Sequence, residues 1–227
     1  MTRGHGATIG VLALQGDFEA HASTLARIGV PHREVRLPED LEGLSGLVIP
    51  GGESSALIRL MREYGLDAAI SRFAEGGGAI LGTCAGAILL ARTVTHPSQW
   101  SLGLMDIEVQ RNAYGRQIDS FETVLTEAAP EVLRDPESGR DGGPLPAVFI
   151  RAPRILRCGA GTGILAAHEG EPVLVRQHRF LAATFHPELT ADSRIHRYFV
   201  ETLAAGSAVR IGPRPGAELR RGAAPPL

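Results

Sequence analysis

The stretch A-I-L-G-T-C-A-G-A-I-L-L, residues 79–90, decides the fold because it joins a strand to a helix through a tight turn. Ala79–Gly82 is a short apolar run typical of a buried strand, and the run A-G-A-I-L-L-A-R-T-V that begins at Ala85 predicts a helix. Between them lies G-x-C-x-G, whose small residues let the chain turn sharply and leave the middle side chain exposed at the carboxyl end of a sheet. The pattern predicts an α/β fold with Cys84 at a strand-to-helix turn.

The segments around this stretch show the same alternation of strands and helices. Upstream we expect strands at 9–14, 30–37 and 46–49, and helices capped by Asp17, capped by Ser54 and beginning near Asp67. This alternation favours a parallel sheet with helices on both faces. Downstream, runs between 104 and 185 are typical of strands with almost no helix between them, and a final helix is expected over about 192–204. We therefore expect a three-layer sandwich: a central, mostly parallel sheet with helices on both faces and added antiparallel hairpins.

Composition excludes several functions. All 23 basic residues are arginine, so the chain can form neither a lysine imine nor a Walker lysine contact with phosphate. A net charge of −2 and 5% aromatic residues argue against nucleic-acid binding. No apolar run approaches the roughly 20 residues of a membrane helix, and two cysteines do not make a disulfide framework. These features predict a cytoplasmic protein.

The chain is expected to form one domain with a short tail. The domain spans 7–205, and 134–146 is predicted to be an exposed insertion rich in turn formers. Residues 206–227 have too little apolar content to pack and are predicted to form a disordered tail.

Cys84 has a candidate base and a candidate orienting group. A helix N-terminus favours thiolate over thiol, and a cysteine nucleophile also needs a base oriented by a third group. The last strand runs into His186-Pro187-Glu188, where an extended proline would place His186 and Glu188 on the same side. We predict that Glu188 orients His186 toward Cys84. The alternatives are that Cys84 is a buried structural cysteine and that His186-Pro187-Glu188 is a structural loop.

The other histidines and the second cysteine offer no comparable pattern. His21, His32 and His96 have no partner at a useful spacing, and three further histidines are most simply surface or packing residues: His168, His178 and His196. Cys158 is interpreted as a structural thiol. No cluster of three or four ligands is visible, so neither a metal site nor a cofactor is expected.

Two further regions suggest a substrate pocket. Pro50-Gly51-Gly52-Glu53-Ser54 follows a strand and opens a helix, so its N–H groups can face an oxyanion. Gly52 and Ala85 are the predicted donors, and a phosphate cradle is the alternative. Arginines near strand ends, in R-N-A-Y-G-R at 111–116 and I-R-A-P at 150–153, could bind a carboxylate or be solvated surface residues.

These motifs together resemble the class I (triad) glutamine amidotransferases. The finer motifs are similar to those of the glutaminase subunits of two-component pyridoxal 5′-phosphate synthases: L-A-L-Q-G-D-F-E-A-H at 12–21, P-G-G-E-S-S-A-L-I-R-L at 50–60, R-N-A-Y-G-R-Q at 111–117, F-I-R-A-P at 149–153 and F-H-P-E-L-T at 185–190.

The resemblance implies an activity and a role for each residue. Cys84 would attack the side-chain amide of glutamine, His186 would transfer the proton and Glu188 would orient His186. The residues implied to bind glutamine are Gly52, Glu53, Ser54, Arg111, Ile150 and Arg151. Glutamate and ammonia would form through a thioester.

The resemblance also implies a partner. Ammonia would pass to a barrel-shaped, PdxS-like synthase subunit in a large hetero-oligomer, which condenses it with ribose 5-phosphate and glyceraldehyde 3-phosphate. The imine-forming lysines would then belong to the partner. Two alternatives are a glutaminase of another amidotransferase, such as imidazole glycerol phosphate synthase, and a non-catalytic regulatory subunit.

Overall fold

Residues 7–111, 120–134, 139, 142–205 and 209 are those that the structure, a computed structural model, describes. Within them the strands are β1 (Ile9–Leu12), β2 (His32–Val35), β3 (Gly46–Ile49), β4 (Ala79–Thr83), β5 (Ala91–Thr95), β6 (Met105–Gln110), β7 (Phe121–Leu125), β8 (Glu127–Ala128), β9 (Leu145–Phe149), β10 (Arg154–Cys158), β11 (Gly163–His168), β12 (Glu171–Gln177) and β13 (Phe180–Ala183). The α-helices are α1 (Phe18–Arg27), α2 (Ser54–Glu63), α3 (Leu66–Glu75), α4 (Ala85–Leu90), α5 (Pro130–Leu133) and α6 (Arg194–Tyr198). Shorter helical turns are the 3-10 helices Pro38–Leu41 and Pro187–Leu189 and the π-helical turn Phe199–Leu203.

The largest sheet within the described residues has the order β2-β1-β3-β4-β13-β12-β11-β8. Its first five strands are parallel, and the remaining three pair antiparallel. The parallel part places β4 between β3 and β13, with Gly82 opposite Ile49 and Thr83 opposite Ala183. The predicted α/β class, with a mostly parallel sheet and added hairpins, is confirmed.

The sheet is covered on both faces, and its central strands β1, β3 and β4 are buried at every position. In β3, Leu47 and Ile49 pack into one cluster with side chains of α2 and α3, whereas Val48 packs into a second cluster. The second cluster contains Leu25 of α1 and Phe199 of the π-helical turn. Successive strand residues point to opposite faces, so this division produces the three layers.

Other strands form two small sheets beside the main one. β5, β6 and β10 make a three-stranded sheet, and β7 pairs with β9. Only part of the predicted hairpin region therefore extends the main sheet. The β7–β9 pair is relevant to the site because Ile150 follows β9 directly.

Several local predictions are wrong. The helix after Cys84 ends at Leu90, and Ala91–Thr95 is strand β5, in which the β-branched residues Thr93, Val94 and Thr95 favour extended backbone. Ser54 does not cap α2. The cap is Glu53, whose carboxylate accepts hydrogen bonds from the N–H groups of Ser55 and Ala56, at 3.0 and 2.6 Å.

Predictions at three places fall partly outside the described residues. Residues 112–119, most of the predicted tail and much of the 134–146 insertion lie outside the described residues. Leu145, within that insertion, is buried in β9. Val209, within the predicted tail, is 5% exposed and exchanges backbone hydrogen bonds with Gly43 and Leu44. In the described ranges, each helix is too short or too polar to span a lipid bilayer.

Candidate active site

Three neighbouring strands end at the same edge of the sheet and bring the predicted site residues together. Gly51–Ser54 follow β3, Cys84 follows β4, and His186 lies just beyond β13. The carboxyl edge of an open parallel sheet is where such folds bind ligands. The strand order β3-β4-β13 thus places the thiol centrally, between the glycine-rich loop and the histidine.

The turn at Cys84 is strained and tightly packed. Cys84 has φ 48° and ψ −103°, and its N–H donates to the carbonyl oxygen of Ala183 at 2.8 Å. A Cβ at Gly82 would lie 2.6 Å from backbone atoms of Gly86, and one at Gly86 would lie 2.0 Å from the carbonyl oxygen of Ile49. Both glycines of G-x-C-x-G are therefore required sterically, as expected for a nucleophile elbow.

The ring of His186 is held from two sides. Its backbone N–H donates to the carbonyl oxygen of Val148 at 2.8 Å. The ring packs against Gly51 so closely that a Cβ there would lie 2.3 Å from Cε1. The imidazole is 3% exposed, so little freedom remains for it to turn away from Cys84.

Glu188 orients the same ring. Its Oε1 lies 2.7 Å from Nδ1 of His186, and its side chain is fully buried. The expected extended backbone is wrong, since Pro187–Leu189 form a 3-10 helix with proline in its first turn. Proline suits that position because its fixed φ is helical and its missing N–H costs nothing there. The turn still brings the two side chains together.

The electrostatics favour a protonated histidine. Burial alone lowers the pKa of His186, but the hydrogen bonds to Cys84 and Glu188 and the charges of both raise that pKa to about 10. Burial also raises the pKa of Glu188, against the hydrogen bond and charge of His186. Both shifts describe a pair that holds its shared proton tightly. An imidazolium in this position can donate its proton to a departing amide nitrogen.

A cavity of about 230 Å³ opens over the thiol. Its lining comes from the ends of β3, β4 and β13, from the loop after β9, from helix α4 and from residues before α1 and after β6. The lining residues are Asp17, Gly52, Glu53, Ser54, Cys84, Ile88, Arg111, Ile150, Arg151, Pro153 and His186. All six residues implied to bind glutamine line this cavity together with Cys84 and His186. Glu188 is buried beneath the ring of His186.

The glycine-rich loop is held by Gln15, a residue to which the sequence motifs assigned no role. The amide of Gln15 donates to the carbonyl oxygen of Glu53 at 3.0 Å and accepts from its N–H at 3.4 Å. Gly52 has φ 143°, and a Cβ there would lie 2.6 Å from Nε2 of Gln15. A left-handed glycine and a side-chain amide together fix the peptide next to the cavity.

Arg111 reaches the same loop. Its guanidinium donates to Oγ of Ser55 at 3.3 Å and lies 3.6 Å from Oε1 of Glu53. The pKa of Glu53 is lowered: slight burial opposes the shift, but the N–H groups of Ser55 and Ala56 and the charge of Arg111 outweigh it. Arg111 is 13% exposed, so its charge faces the cavity rather than bulk solvent.

The loop after β9 contributes a second strained residue. The thiol of Cys84 lies 3.9 Å from the carbonyl oxygen of Ile150, and Arg151 has φ 43°. Cys84 and Arg151 are two of the five non-glycine residues with positive φ in the described part of the chain. These two both line the cavity, and strained backbone at a cavity is typical of functional sites.

The whole chain was then compared with known proteins. The sequence model of the SNO glutamine amidotransferase family matches residues 11–205. The chain belongs to this family. Glutamine amidotransferases take nitrogen from the side-chain amide of glutamine, so the chain is a glutamine-hydrolysing enzyme.

Individual relatives are similar over almost their whole length. The chain is 52% identical to the pyridoxal 5′-phosphate synthase subunit PdxT of Deinococcus radiodurans, covering 85% of this chain and 95% of the relative. It is 51% identical to PdxT of Thermus thermophilus, with coverage of 85% and 96%, and 48% identical to PdxT of Thermotoga neapolitana, with coverage of 85% and 97%.

Solved structures agree with the fold. A glutamine amidotransferase crystal structure that is 48% identical superposes with a TM-score of 0.77, covering 86% of this chain and 98% of the other. The crystal structure of a GMP synthase protein from Thermoplasma acidophilum, 18% identical, has a TM-score of 0.62 and shares the fold, with coverage of 89% and 96%.

Two buried histidines of this amidotransferase make polar contacts that the sequence did not predict. His21, predicted to lack a useful partner, is fully buried, and its Nε2 lies 3.4 Å from Oε2 of Glu188. His196, assigned to surface or packing, is also fully buried, and its Nε2 lies 2.9 Å from Nδ1 of His21. The sequence signal was weak because these partners lie far apart along the chain.

Asp17 lies beside the triad of the amidotransferase. Its Oδ2 is 3.5 Å from Nδ1 of His186, and ligand atoms of Asp17, His186 and Glu188 lie within 4.8 Å of one another. A cation held there would compete with the proton that His186 already shares with Glu188 at 2.7 Å. In the described residues this cluster is therefore better explained as a proton-holding site.

Proposed function

We propose that this chain is the glutaminase subunit of a two-component pyridoxal 5′-phosphate synthase. It would hydrolyse L-glutamine to L-glutamate and ammonia and pass the ammonia to a PdxS-like synthase subunit. The observation that carries the proposal is the buried pair of His186 and Glu188, at 2.7 Å, beside the thiol of Cys84 on the floor of a small cavity. Family membership and the PdxT relatives support the choice of substrate and partner.

The first half of the reaction makes a thioester. The thiolate of Cys84 attacks the side-chain carbonyl carbon of glutamine, and the N–H groups of Gly52 and Ala85 bind the developing oxyanion. The imidazolium of His186 then gives its proton to the departing nitrogen, the carbon–nitrogen bond breaks and ammonia leaves. Glu188 keeps the ring oriented and offsets its charge during both proton transfers.

The second half releases glutamate. Neutral His186 takes a proton from water, which attacks the thioester carbon. The carbon–sulfur bond breaks, and Cys84 leaves as a thiolate beside the reformed imidazolium. The new carboxyl group has one oxygen from glutamine and one from water, and it releases the second proton of that water to solvent as glutamate departs. Atoms and charges balance in both steps with these side chains and water.

Glutamine would be recognised by its α-carboxylate and α-ammonium groups. Arg111 and Arg151 supply positive charge for the α-carboxylate, and Glu53 supplies negative charge for the α-ammonium group. Gly52, Ser54 and Ile150 would contact the rest of the substrate. The location of all six residues around one cavity supports this assignment, because their sequence positions alone did not require them to meet.

The same proposal covers the organisation and location of the chain. Residues 7–205 would form the glutaminase domain, and 206–227 would be a tail that the chemistry does not need. A reducing cytoplasmic location is supported by two unpaired cysteines, Cys84 and Cys158.

A non-catalytic subunit would not need a strained Cys84 beside an oriented histidine. The sequence motifs disfavour a different synthase as partner.

The deciding experiment measures glutamate release with and without a purified PdxS protein. We expect release to depend on glutamine and to rise when the synthase subunit is added, with pyridoxal 5′-phosphate formed when both sugar phosphates are present. Activity that ignores PdxS would contradict the proposed partner. Absence of glutamate in every mixture would contradict the proposed reaction.

A further inference from the structure

A row of buried polar side chains continues from the triad into the core. Oε1 of Glu188 faces His186, and Oε2 faces the opposite way, 3.4 Å from Nε2 of His21. On its other side, Nδ1 of His21 lies 2.9 Å from Nε2 of His196. His21 and His196 are both 0% exposed. Such a row in an apolar core is costly unless its hydrogen bonds are arranged in one direction.

The end of the row decides that direction. Nδ1 of His196 is buried and has no hydrogen-bond partner within the described residues. In folded proteins, buried N–H groups without an acceptor are rarer than buried acceptors without a donor, and we assign the proton of His196 on that basis. The proton of His196 is therefore on Nε2, from which it donates to Nδ1 of His21. That leaves the proton of His21 on Nε2, the atom that faces Glu188.

This proton has two acceptors within reach. Nε2 of His21 lies 3.1 Å from Oγ1 of Thr83 and 3.4 Å from Oε2 of Glu188. Oε2 is itself buried and has no hydrogen-bond partner within the described residues, so its approach to Nε2 of His21 is a charge–dipole contact that is longer than a formed hydrogen bond. One Nε2–H cannot be donated fully to both, so it is shared between the closer hydroxyl of Thr83 and the charged Oε2 of Glu188, which is the stronger acceptor. Both acceptors adjoin the triad, since Thr83 directly precedes Cys84.

Burial, more than the surrounding charges, keeps His21 neutral. Burial lowers its pKa well below the ordinary value, and the charges of His196 and His186 lower it further. Burial also lowers the pKa of His196 to about 4, with help from Arg27. A neutral donor supports the carboxylate of Glu188 without cancelling the negative charge that His186 needs.

We propose that His21 is a positioning residue for the triad, which holds the carboxylate of Glu188 through its Nε2–H while His196 fixes its tautomer. The inference rests on the proposed function, because a positioned Glu188 matters only if His186 transfers protons. The row adds no catalytic group. It sets the direction in which Glu188 faces and the ease with which that carboxylate takes up a proton.

The test compares His21→Leu, which removes the donor, with His21→Gln, whose amide can supply one near the same place. Leu25→Ala, a fully buried residue of the same helix, is the matched control for lost packing. Each variant is assayed in the presence of the synthase subunit. For His21→Leu we expect kcat to fall about 10- to 100-fold with little change in KM, as for the loss of a polar donor that faces a charged group.

The pH profile separates positioning from packing. A carboxylate that loses a donor holds protons more tightly, so the acid limb of kcat for His21→Leu should move to higher pH, whichever partner of the coupled pair takes the proton. His21→Gln should recover part of both effects, and Leu25→Ala should show neither. An unchanged kcat and acid limb in His21→Leu, or the same shift in Leu25→Ala, would overturn the proposal.

A measurement on the unmodified protein covers the case in which His21→Leu does not fold. Nitrogen NMR of protein labelled at histidine should show the proton of His21 on Nε2 and none on Nδ1, and a proton on Nδ1 would overturn the proposal. The wild-type glutamate assay tests the reaction separately. Failure there contradicts the proposed function, whereas a normal wild type with an unaffected His21→Leu contradicts only the role of His21.

Discussion

Nδ1 of His186 and Oε1 of Glu188 lie 2.7 Å apart, and neither side chain is more than 3% exposed. The pair follows a strand that is hydrogen-bonded to the strand carrying Cys84. Sheet pairing thus fixes the distance between the nucleophile and its base, and a single 3-10 turn fixes the base to its carboxylate. Each part of this arrangement can be changed separately.

Glu188→Gln should slow the enzyme and change its pH dependence. With the synthase present we expect kcat to fall roughly 100-fold or more, because the amide cannot offset the charge of the imidazolium. The pKa of His186, raised to about 10, should fall toward the ordinary value. The imidazolium is then lost at lower pH, so the basic limb of the pH–rate profile should move down. A profile with an unmoved basic limb would show that Glu188 does not set the charge of His186.

Arg111→Met should weaken glutamine binding more than it affects chemistry. Loss of a guanidinium that binds a carboxylate costs about 1.5–3 kcal/mol, which corresponds to a rise in KM of roughly 10- to 100-fold. Initial rates over a range of glutamine concentrations measure it. Arg36→Met is the control, since Arg36 pairs with Glu34 on an exposed strand away from the cavity. A fall in kcat at constant KM would assign Arg111 a different role.

Gly86→Ala should disrupt the turn that carries Cys84. The added Cβ would lie 2.0 Å from the carbonyl oxygen of Ile49, so backbone must shift. We expect a loss of about 3 kcal/mol in the free energy of unfolding, measured with urea. At Gly163 a Cβ would meet only the carbonyl oxygen of Arg176, at 3.9 Å. Gly163→Ala should therefore change stability by less than about 1 kcal/mol, and equal losses in the two variants would contradict the steric account.

His196 should make the fold sensitive to acid. Its pKa is lowered to about 4 in the folded protein, against about 6.5 when unfolded. A histidine whose folded pKa is depressed stabilises the fold above pH 6.5, and that contribution is lost as pH falls toward 4. Its slope is up to about 1.4 kcal/mol per pH unit. The free energy of unfolding of His196→Gln, measured between pH 4.5 and 7.5, should fall less steeply than that of the wild type. Parallel curves would show that His196 is not buried in its neutral form.

Local sequence predicted most of the fold and the principal candidate residues. The strand-to-helix turn at Cys84 and the turn at His186 depend on small residues and a proline within a few positions. Both can therefore be predicted from local sequence. The apolar residues of Ala91–Thr95 continue the pattern of α4 and therefore predict helix, although the segment is a strand. The cap of α2 was assigned to Ser54 because serine is the commoner cap, whereas Glu53 reaches two N–H groups at once.

The missed part of the site depends on contacts between distant segments. His21 and His196 are in contact although they are 175 positions apart in the sequence. The residues next to each of them in the sequence form no motif that predicts this contact. Their importance follows from the packing of α1 and α6 under the triad. The role of Gln15 at the glycine-rich loop was likewise not assigned, because Gln15 and Glu53 are 38 positions apart.

The most direct test of the proposed reaction is the site of covalent labelling by a diazoketone analogue of glutamine. This reagent alkylates the cysteine that would form the thioester, and mass spectrometry of the digested protein locates the adduct. With the synthase present, we expect a single adduct on Cys84, prevented by excess glutamine and absent in Cys84→Ala. Labelling of Cys158 in place of Cys84, or no labelling of the intact complex, would contradict the assignment of Cys84 as the nucleophile.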